Sequence, residues 1–254
     1  MLRVLAGHHD LSRLWNPADD GCPLWLESFD PTTLVLDGSS LVQQWNDKSG
    51  NGYHATQSTA SMRPGYSSTG LNGYPALIFD GTDDGIVCPV PAGTFPSELF
   101  FVSVLQKTGA ATTYEARPAN RDENGNKAAP LDGYNSTILA GDGTNQSIYS
   151  RFADMRTLTA PTILAWGLKA GVCYDRKNGI NYISYPLTIY GDTSNQVWLG
   201  TREDGVTFFR GNLSAVIACG MTSIEKAEGY LAHQLGLAGN LPVSHPYKSN
   251  PPIV

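Results

Sequence analysis

Apolar residues along this chain fall into short runs separated by clusters of Gly, Asn and Asp. The strongest run is ELFFVSVLQK at 98–107, in which six of ten residues are apolar and Val and Phe predominate. TLVLDG at 33–38 ends in Asp-Gly, a dipeptide typical of a tight hairpin turn. Repeated short runs of this kind predict an all-β fold, either a sandwich or a barrel of antiparallel strands.

A helical period appears once, at 222–239 (TSIEKAEGYLAHQLGLAG). Thr222 and Glu225 form the T-x-x-E pair of a capping box, which predicts the helix start. Gly236 predicts its end, because glycine readily adopts the left-handed conformation that closes many helices. Steps of three and four residues give the helix one apolar face: Ile224, Ala227, Leu231 and Leu235. The sequence therefore predicts one short C-terminal helix beside the strands.

Two stretches lack a regular pattern. Residues 1–22 mix charges and histidines with the turn sequence NPADDG, and they predict an N-terminal extension. Residues 108–135 include Pro118 and Pro130 and predict a long excursion between two strands. A length of 254 residues is compatible with a single all-β domain.

Composition and charge narrow the choice of partners. The formal net charge is −6 and no basic run is present, which argues against nucleic acid and anionic membranes as partners. No apolar run approaches the roughly 18 residues of a membrane-spanning helix. Leu2–Gly7 is too short for the apolar part of a signal peptide. The sequence thus predicts a protein made and kept in a cytosol, without membrane insertion.

Four cysteines are widely spaced and form no C-x-x-C pair: Cys22, Cys88, Cys173 and Cys219. This spacing favours neither a zinc site nor a disulfide framework, so free thiols are expected. The last of them lies in the apolar run LSAVIACGM and is expected to be a small buried side chain.

Four ordered segments together resemble a known family. They are LWLESFDPTTLVLDGSSLVQQWNDKSGNGYHATQ, NGYPALIFDGTDDGIV, VWLGTREDGVTFFRGNLSAVIAC and SIEKAEGYLAHQLGLAGNLPVSHPY. The chain resembles the concanavalin A-like lectin/glucanase (laminin-G-like, LamG) jelly-roll domain, in particular the version found in bacteriophage virion proteins and some large bacterial surface proteins. The resemblance covers about residues 23–248 and leaves 249–254 as a C-terminal tail. It departs from the family at Ala215, where such strands often carry Glu.

The resemblance implies a two-sheet antiparallel sandwich whose concave face and rim loops bind glycans in some members. It implies a non-enzymatic bacteriophage virion protein, acting as a capsid decoration or as a tail or fibre component, assembled in the host cytoplasm. The expected partners are other virion proteins, with residues 1–22 as a docking arm, and host-cell polysaccharide. Multiple copies per particle are expected, because virion proteins are usually symmetric multimers. The alternatives are a glycan-binding module of a bacterial surface adhesin and a glycosidase or lyase of the same fold.

The stretch VQQWNDKSGNGYHATQ at 42–57 admits two interpretations. NDKSGNG is dense in residues that close their own turns, so Asp47 is expected to accept backbone N–H groups and Trp45 to lie in the core. If the stretch instead forms a ligand-binding rim, Tyr53 and His54 are its candidate contacts. The turn interpretation is favoured, because turn chemistry explains nearly every residue.

Glycan binding would need an aromatic ring to stack on a sugar and polar side chains to bond its hydroxyls. The candidate ligand-binding residues are Tyr53, His54, Tyr66, Tyr134 and Arg202. Further aromatic residues qualify by residue type alone: Trp25, Tyr149 and Trp198. Strand alternation is expected to bury about half of these rings.

FDGTDDGIV gathers three carboxylates, Asp80, Asp83 and Asp84, which could hold Ca²⁺ because this cation prefers oxygen ligands. A strand-to-strand turn whose Asp side chains bind backbone amides is the favoured alternative, since Asp-Gly is common in hairpins. No cofactor is required on either interpretation.

Catalytic residues are not predicted. The chain has no E-x-D-x-x-E arrangement, no G-x-S-x-G elbow and no phosphate-binding glycine loop. Glu203 and Asp204 are adjacent, so in an extended strand they would point to opposite faces and would not share a cleft. The sequence therefore predicts a protein that is not an enzyme.

Overall fold

The structure is a computed structural model that describes residues 13–91, 94, 98–109, 114–115, 119–123, 127–128, 132–134, 137–141, 146–150, 157–170, 172–186, 196–201 and 205–254. Between 110 and 156 it describes the backbone alone.

The described residues form twenty strands and one α-helix. The helix, α1, spans Ile224–Gln234. In chain order the strands are β1 (Leu24–Glu27), β2 (Leu34–Leu36), β3 (Val42–Trp45), β4 (Ala55–Thr56), β5 (Gly65–Leu71), β6 (Tyr74–Asp80), β7 (Ile86–Pro89), β8 (Leu99–Lys107), β9 (Tyr114–Glu115), β10 (Ala119–Glu123), β11 (Lys127–Ala128), β12 (Asp132–Tyr134), β13 (Thr137–Gly141), β14 (Gln146–Ser150), β15 (Thr162–Lys169), β16 (Val172–Lys177), β17 (Ile180–Pro186), β18 (Gln196–Leu199), β19 (Thr207–Phe208) and β20 (Arg210–Cys219).

Most of these strands belong to two antiparallel sheets. Within the described residues, sheet A has eight strands in the order β17-β16-β15-β8-β20-β6-β5, with β1 also paired to β20. Sheet B has seven strands in the order β11-β10-β18-β7-β4-β3-β2. Outside them, β12-β13-β14 form a small sheet and β9 pairs with β19. The predicted all-β sandwich with one short C-terminal helix is confirmed.

The central strands of sheet A are buried on both faces. Successive side chains of a strand point to opposite faces. In β8, Leu99 and Phe101 therefore pack in the core shared with sheet B, whereas Phe100 and Val102 pack in the cluster beneath α1. Because both faces of β8 are buried, its sequence is a continuous apolar run without the usual alternation of apolar and polar residues. In β20, Cys219 is fully buried beneath the helix, as its apolar surroundings predict.

The helix keeps its predicted apolar face but begins differently. A 3-10 turn, Met221–Ser223, precedes it, and no side chain caps its first turn, so the predicted Thr222–Glu225 capping box is wrong. The Ser223 hydroxyl instead donates to Asp20 at 2.8 Å. All four predicted apolar positions are buried. No helix in the described part of the chain is long and apolar enough to cross a bilayer.

Part of the predicted N-terminal extension is built into the fold. The indole ring of Trp15 is buried and meets the ring of Tyr230 edge-on, with 6.0 Å between centroids. The Trp15 backbone N–H donates to the Pro252 carbonyl at 3.0 Å, which ties residues 13–22 to the tail 249–254. Residues 13–22 are therefore packed on the domain, whereas residues 1–12 of the predicted docking arm lie outside the described residues and their role stays a prediction.

The structure describes two of the predicted connections. FDGTDDGIV joins the strands β6 and β7, and its Asp side chains accept backbone N–H groups, as expected. Because β6 lies in sheet A and β7 in sheet B, this turn crosses between the sheets and does not close a hairpin. Residues 108–135 were expected to be an excursion between strands, but their backbone at 119–123 forms β10 and pairs with β18. This segment therefore extends sheet B.

Candidate functional site

Asp47 organises the turn between β3 and β4. Its buried carboxylate accepts the backbone N–H groups of Trp25 at 3.0 Å, Ser49 at 2.9 Å and Tyr53 at 3.1 Å. Its own N–H donates to His54 Nδ1 at 3.0 Å. The residues of NDKSGNG thus form the turn that their composition predicts, and His54 is engaged in holding it.

The predicted ligand-binding residues are not gathered into one open site by the described structure. Tyr53 and Tyr66 are partly buried and pack against the core between the sheets. His54 is occupied by the turn. Tyr134 is described by its backbone alone, in β12, and Arg202 lies outside the described residues. Their proposed roles stay predictions.

An open groove of about 480 Å³ lies on the outer face of sheet B. Its lining is formed by Gln43, Gln44, Thr56, Gln57, Ser58, Met62, Val87 and Trp198. One register row crosses four neighbouring strands of the groove floor: Gln44 in β3, Thr56 in β4, Val87 in β7 and Trp198 in β18. Because neighbouring strands lie about 4.8 Å apart, this row is roughly 14 Å long.

A β-bulge supplies two consecutive glutamines to this sheet B groove. Val35 pairs with Gln44 and Leu36 pairs with Val42, so Gln43 is an extra residue in β3. In a regular strand, neighbouring side chains point to opposite faces. The bulge re-aims one of them, and both Gln43 and Gln44 consequently line the groove.

Trp198 provides the aromatic surface of the groove. Its strand neighbours Val197 and Leu199 are fully buried in the core, so alternation turns the indole outward. The ring is partly buried. Its Nε1 is shielded from solvent and has no acceptor among the described residues. The part of the ring that reaches the groove is therefore carbon surface.

Arg63 holds Gln57 and Ser58, which form one wall of the groove. Its Nε donates to the Gln57 carbonyl at 2.8 Å, its Nη2 to the Ser58 carbonyl at 3.0 Å and its Nη1 to the Asp37 carboxylate at 2.9 Å. The Gln57 side chain in turn donates to the Gly85 carbonyl at 2.7 Å. Gln57 and Ser58 are thus held both through their own backbone carbonyls and through Gly85, the residue directly before β7.

The three acidic residues of FDGTDDGIV come together in the crossing loop. One oxygen of each of Asp80, Asp83 and Asp84 lies within 4.8 Å of the others, and oxygen donors of this kind suit Ca²⁺. The same side chains also bind backbone: Asp84 accepts the N–H of Asp80 at 2.8 Å, and Asp80 accepts that of Thr82 at 2.7 Å. The carboxylates therefore fit either role, and calcium binding here stays a prediction.

Burial raises the pKa of the Asp84 carboxyl to about 7; the hydrogen bond from Asp80 opposes this, and the charges of Asp80 and Asp83 add to it. Since the pKa of an unfolded Asp is about 3.9, folding favours the protonated form between these values. Ionisation of Asp84 therefore does not affect the free energy of unfolding below about pH 4. As the pH rises from about 4 to about 7, ionisation increasingly lowers that free energy.

We expect Asp84→Asn to leave stability unchanged at pH 4 and to raise it above pH 7. The gain should be of the order of 1–2 kcal/mol, allowing for screening near the surface. Thermal melts of both proteins from pH 4 to 8 measure it, and Asp83→Asn should give a smaller gain, because it removes only one of the neighbouring charges that raise the pKa of Asp84. Equal shifts at pH 4 and pH 8 would contradict the assignment. Calcium that raises the melting temperature of the native protein but not of Asp84→Asn would reveal a metal site.

A second cavity, of about 380 Å³, borders α1. The positively charged side chain in its lining, Arg176, already pairs with a carboxylate. The Arg176 guanidinium donates to both oxygens of Glu228 at 2.8 Å, to the Asn181 side chain at 2.9 Å and to the Gly179 carbonyl at 3.1 Å. Burial acts to lower the pKa of Arg176, but its bonds to Glu228 raise that pKa overall. His245 Nε2 lies 3.2 Å from the same carboxylate. The cluster joins α1 to β16 and the C-terminal segment.

Glu27 is a second buried acid with a full set of partners. Its carboxylate accepts from Trp25 Nε1 and from the Tyr230 hydroxyl, each at 2.8 Å, and pairs with Lys48. Burial and the charge of Glu27 raise the pKa of Tyr230. Glu27 and Glu228 thus stabilise the packing of α1 on sheet A, and neither lines the sheet B groove.

Comparison with known proteins identifies the fold. No protein-family profile and no curated protein matches this sequence. The binding domain of Paraclostridial Mosquitocidal Protein 1 superposes with a TM-score of 0.52 at 11% identity, over 80% of this chain and 49% of that chain. Trypanosoma rangeli sialidase in complex with sialic acid superposes with a TM-score of 0.50 at 13% identity, over 77% of this chain and 30% of the sialidase chain. A third structure is domain 4 of AbnA, a GH43 extracellular arabinanase from Geobacillus stearothermophilus, in complex with arabinotriose. It superposes with a TM-score of 0.48 at 17% identity, over 78% of this chain and 91% of that domain.

At these identities the likeness concerns the fold alone. This chain spans about half of the mosquitocidal binding domain and about a third of the sialidase. The mosquitocidal binding domain and the sialidase superpose on this chain through a β-sandwich. None of these three is a bacteriophage protein.

Proposed function

We propose that this chain is a glycan-binding module that holds its ligand in the sheet B groove. The observation that carries the proposal is the carbon surface of Trp198 beside an open row of amide and hydroxyl side chains. A sugar ring has an apolar C–H face and a rim of hydroxyls. Trp198 would stack on that face, while Gln44 and Thr56 would bond the hydroxyls.

The same groove favours binding without cleavage. Glycoside hydrolysis generally needs two carboxyl groups about 5–9 Å apart in the cleft. Among the described residues that line the groove, none carries a carboxylate. Glu203 and Asp204 lie outside the described residues. An assay of polysaccharide cleavage tests this part of the proposal, and the release of new chain ends would contradict it.

We expect Trp198→Ala to weaken oligosaccharide binding by tenfold or more, equivalent to about 1.4 kcal/mol or more, because a central aromatic contact is lost. The fold should survive, since this ring lies on the outer face of sheet B. Calorimetric titration with an oligosaccharide selected on a glycan array measures the effect. Ile180→Ala is the control, because Ile180 is an exposed apolar side chain of β17 in sheet A, away from the sheet B groove. Equal affinities for Trp198→Ala and the native chain would exclude this groove.

A place in a bacteriophage virion, as a capsid decoration or a tail or fibre component, is supported by the sequence resemblance alone. It would bring other virion proteins as partners, several copies per particle and assembly in the host cytoplasm. Mass spectrometry of purified particles tests it. Absence of the chain from particles made in cells that express it would favour the surface-adhesin alternative.

A further inference from the structure

We infer that the sheet B groove selects uncharged glycans and binds an internal segment of several sugar units that runs across the strands. This inference rests on the proposed function, because it concerns the ligand of the same groove. It follows from three properties of the described lining: its charge, its direction and its hydrogen-bonding groups.

The described residues of the lining offer no charged partner for a charged sugar. Each described residue that lines the groove is a neutral amide, hydroxyl, thioether, aliphatic or indole group. Arg63 stands behind the wall, but each of its three nitrogens already donates to a protein oxygen, including the carboxylate of Asp37. Moving a carboxylate out of water without a cation or several donors is costly. An acidic sugar would therefore bind less well than a neutral one of the same size.

The register of sheet B sets the direction and length of the bound segment. The row from Gln44 to Trp198 runs perpendicular to the strands over roughly 14 Å, longer than a single pyranose ring. The sheet also continues beyond both ends of this row. Val35 of β2 pairs with Gln44, and Asn120 of β10 pairs in register with Trp198. A floor that extends past both ends of the groove suits the interior of a chain better than a terminal sugar.

The two bulge glutamines supply the hydrogen-bonding character of the groove. The Gln44 amide nitrogen donates to Asn46 Oδ1 at 2.6 Å, which orients its carboxamide. The Gln43 side chain is exposed and makes no hydrogen bond to a described residue. A carboxamide both donates and accepts hydrogen bonds, as a sugar hydroxyl does, and it carries no charge. Two adjacent carboxamides can therefore bond neighbouring hydroxyls without favouring an ionised group.

The inference is tested by calorimetric titration of the full chain with two series of oligosaccharides. One series is neutral, with gluco-, galacto- and arabino-oligosaccharides from monosaccharide to hexasaccharide. The other is acidic, with sialyllactose and oligogalacturonides. We expect affinity for one neutral series to rise by roughly tenfold or more from the monosaccharide to the tetrasaccharide. Because no charges pair, the affinity should stay the same when salt is raised from low to high concentration.

Two variants connect the binding to the groove. Gln43→Ala is expected to weaken neutral oligosaccharide binding by several-fold, because it removes one carboxamide and leaves the bulge backbone in place. Gln234→Ala is the matched control, since it makes the same change on α1, away from sheet B. Circular dichroism shows whether each variant keeps the strand content of the native chain.

The outcomes separate this inference from the proposed function. No binding of any oligosaccharide overturns the proposed function and the inference with it. Tighter binding of the acidic series, or an affinity that falls as salt rises, overturns the uncharged class alone. A monosaccharide that binds as tightly as the tetrasaccharide overturns the extended segment. Binding that is unchanged in both Trp198→Ala and Gln43→Ala places the ligand elsewhere and overturns both proposals.

Discussion

Replacing Glu228 by Ala is expected to destabilise the domain by about 3–5 kcal/mol, because the buried charge of Arg176 keeps only the exposed Glu225, 3.7 Å away, as an acidic partner. The carboxylate of Glu228 is fully buried and is held by two charge-assisted hydrogen bonds from that guanidinium. For a chain of this size, the loss corresponds to a melting temperature roughly 6–20 °C lower. Thermal and denaturant unfolding measure the change.

A double replacement separates the charge from the packing. Arg176→Met combined with Glu228→Leu removes both charges and keeps most of the buried volume, so the pair should be much less destabilising than Glu228→Ala alone. A loss below about 1 kcal/mol for Glu228→Ala would mean that water already reaches the pair, and it would contradict the burial described above.

The ion network lies on the helix side of sheet A, whereas the groove lies on the outer face of sheet B. Glu228→Ala should therefore leave oligosaccharide affinity unchanged at temperatures where the variant is folded. Affinity measured on Glu228→Ala thus tests whether the residues that stabilise the fold and those that would bind glycan lie on opposite sides of the sandwich. Residues more than about 10 Å apart with no shared partners generally contribute independently.

The strands could be predicted from the sequence because their signal is local. ELFFVSVLQK predicted β8, and the run around Ala215 predicted β20. Both runs are apolar at nearly every position, because α1 covers the face of sheet A that points away from sheet B. The start of α1 could not be predicted from Thr222 and Glu225, since Ser223 forms a tertiary hydrogen bond to Asp20 instead.

The candidate groove could not be predicted, because its residues come from distant parts of the chain. Trp198 and Gln44 share a row only through the pairing of β3, β4, β7 and β18, and pairing partners leave no trace in a single sequence. Gln43 reaches the groove through a bulge, which breaks the alternation that sequence patterns rely on. Choosing Tyr53 and Tyr66 by residue type selected rings that pack against the core.

The structure agrees with the turn interpretation of VQQWNDKSGNGYHATQ, whereas the ligand-binding interpretation stays a prediction. Its centre is a turn organised by Asp47, and Trp45 is fully buried. Its two flanks nevertheless contribute half of the groove lining: Gln43, Gln44, Thr56 and Gln57. The turn therefore sets the spacing between the strands that would hold the ligand.

Asp47→Ala is accordingly expected to reduce stability and binding together. It deprives three backbone N–H groups of their acceptor, of which that of Trp25 is buried and those of Ser49 and Tyr53 are partly buried; an unsatisfied buried donor costs about 1–3 kcal/mol, so a loss of about 1–3 kcal/mol is expected. Oligosaccharide affinity should also fall in the folded fraction, because β3 and β4 lose the turn that joins them. Denaturant unfolding and calorimetric titration at low temperature measure the two effects.

Asp47→Asn is the matched control, because its amide oxygen can still accept from the buried Trp25 N–H while the charge is lost. It should cost less stability than Asp47→Ala and retain more of the affinity. If Asp47→Ala lowers stability but leaves the affinity of the folded protein unchanged, the turn acts on the fold alone. The link between this turn and the sheet B groove would then be wrong, although the groove itself could still bind glycan through Trp198.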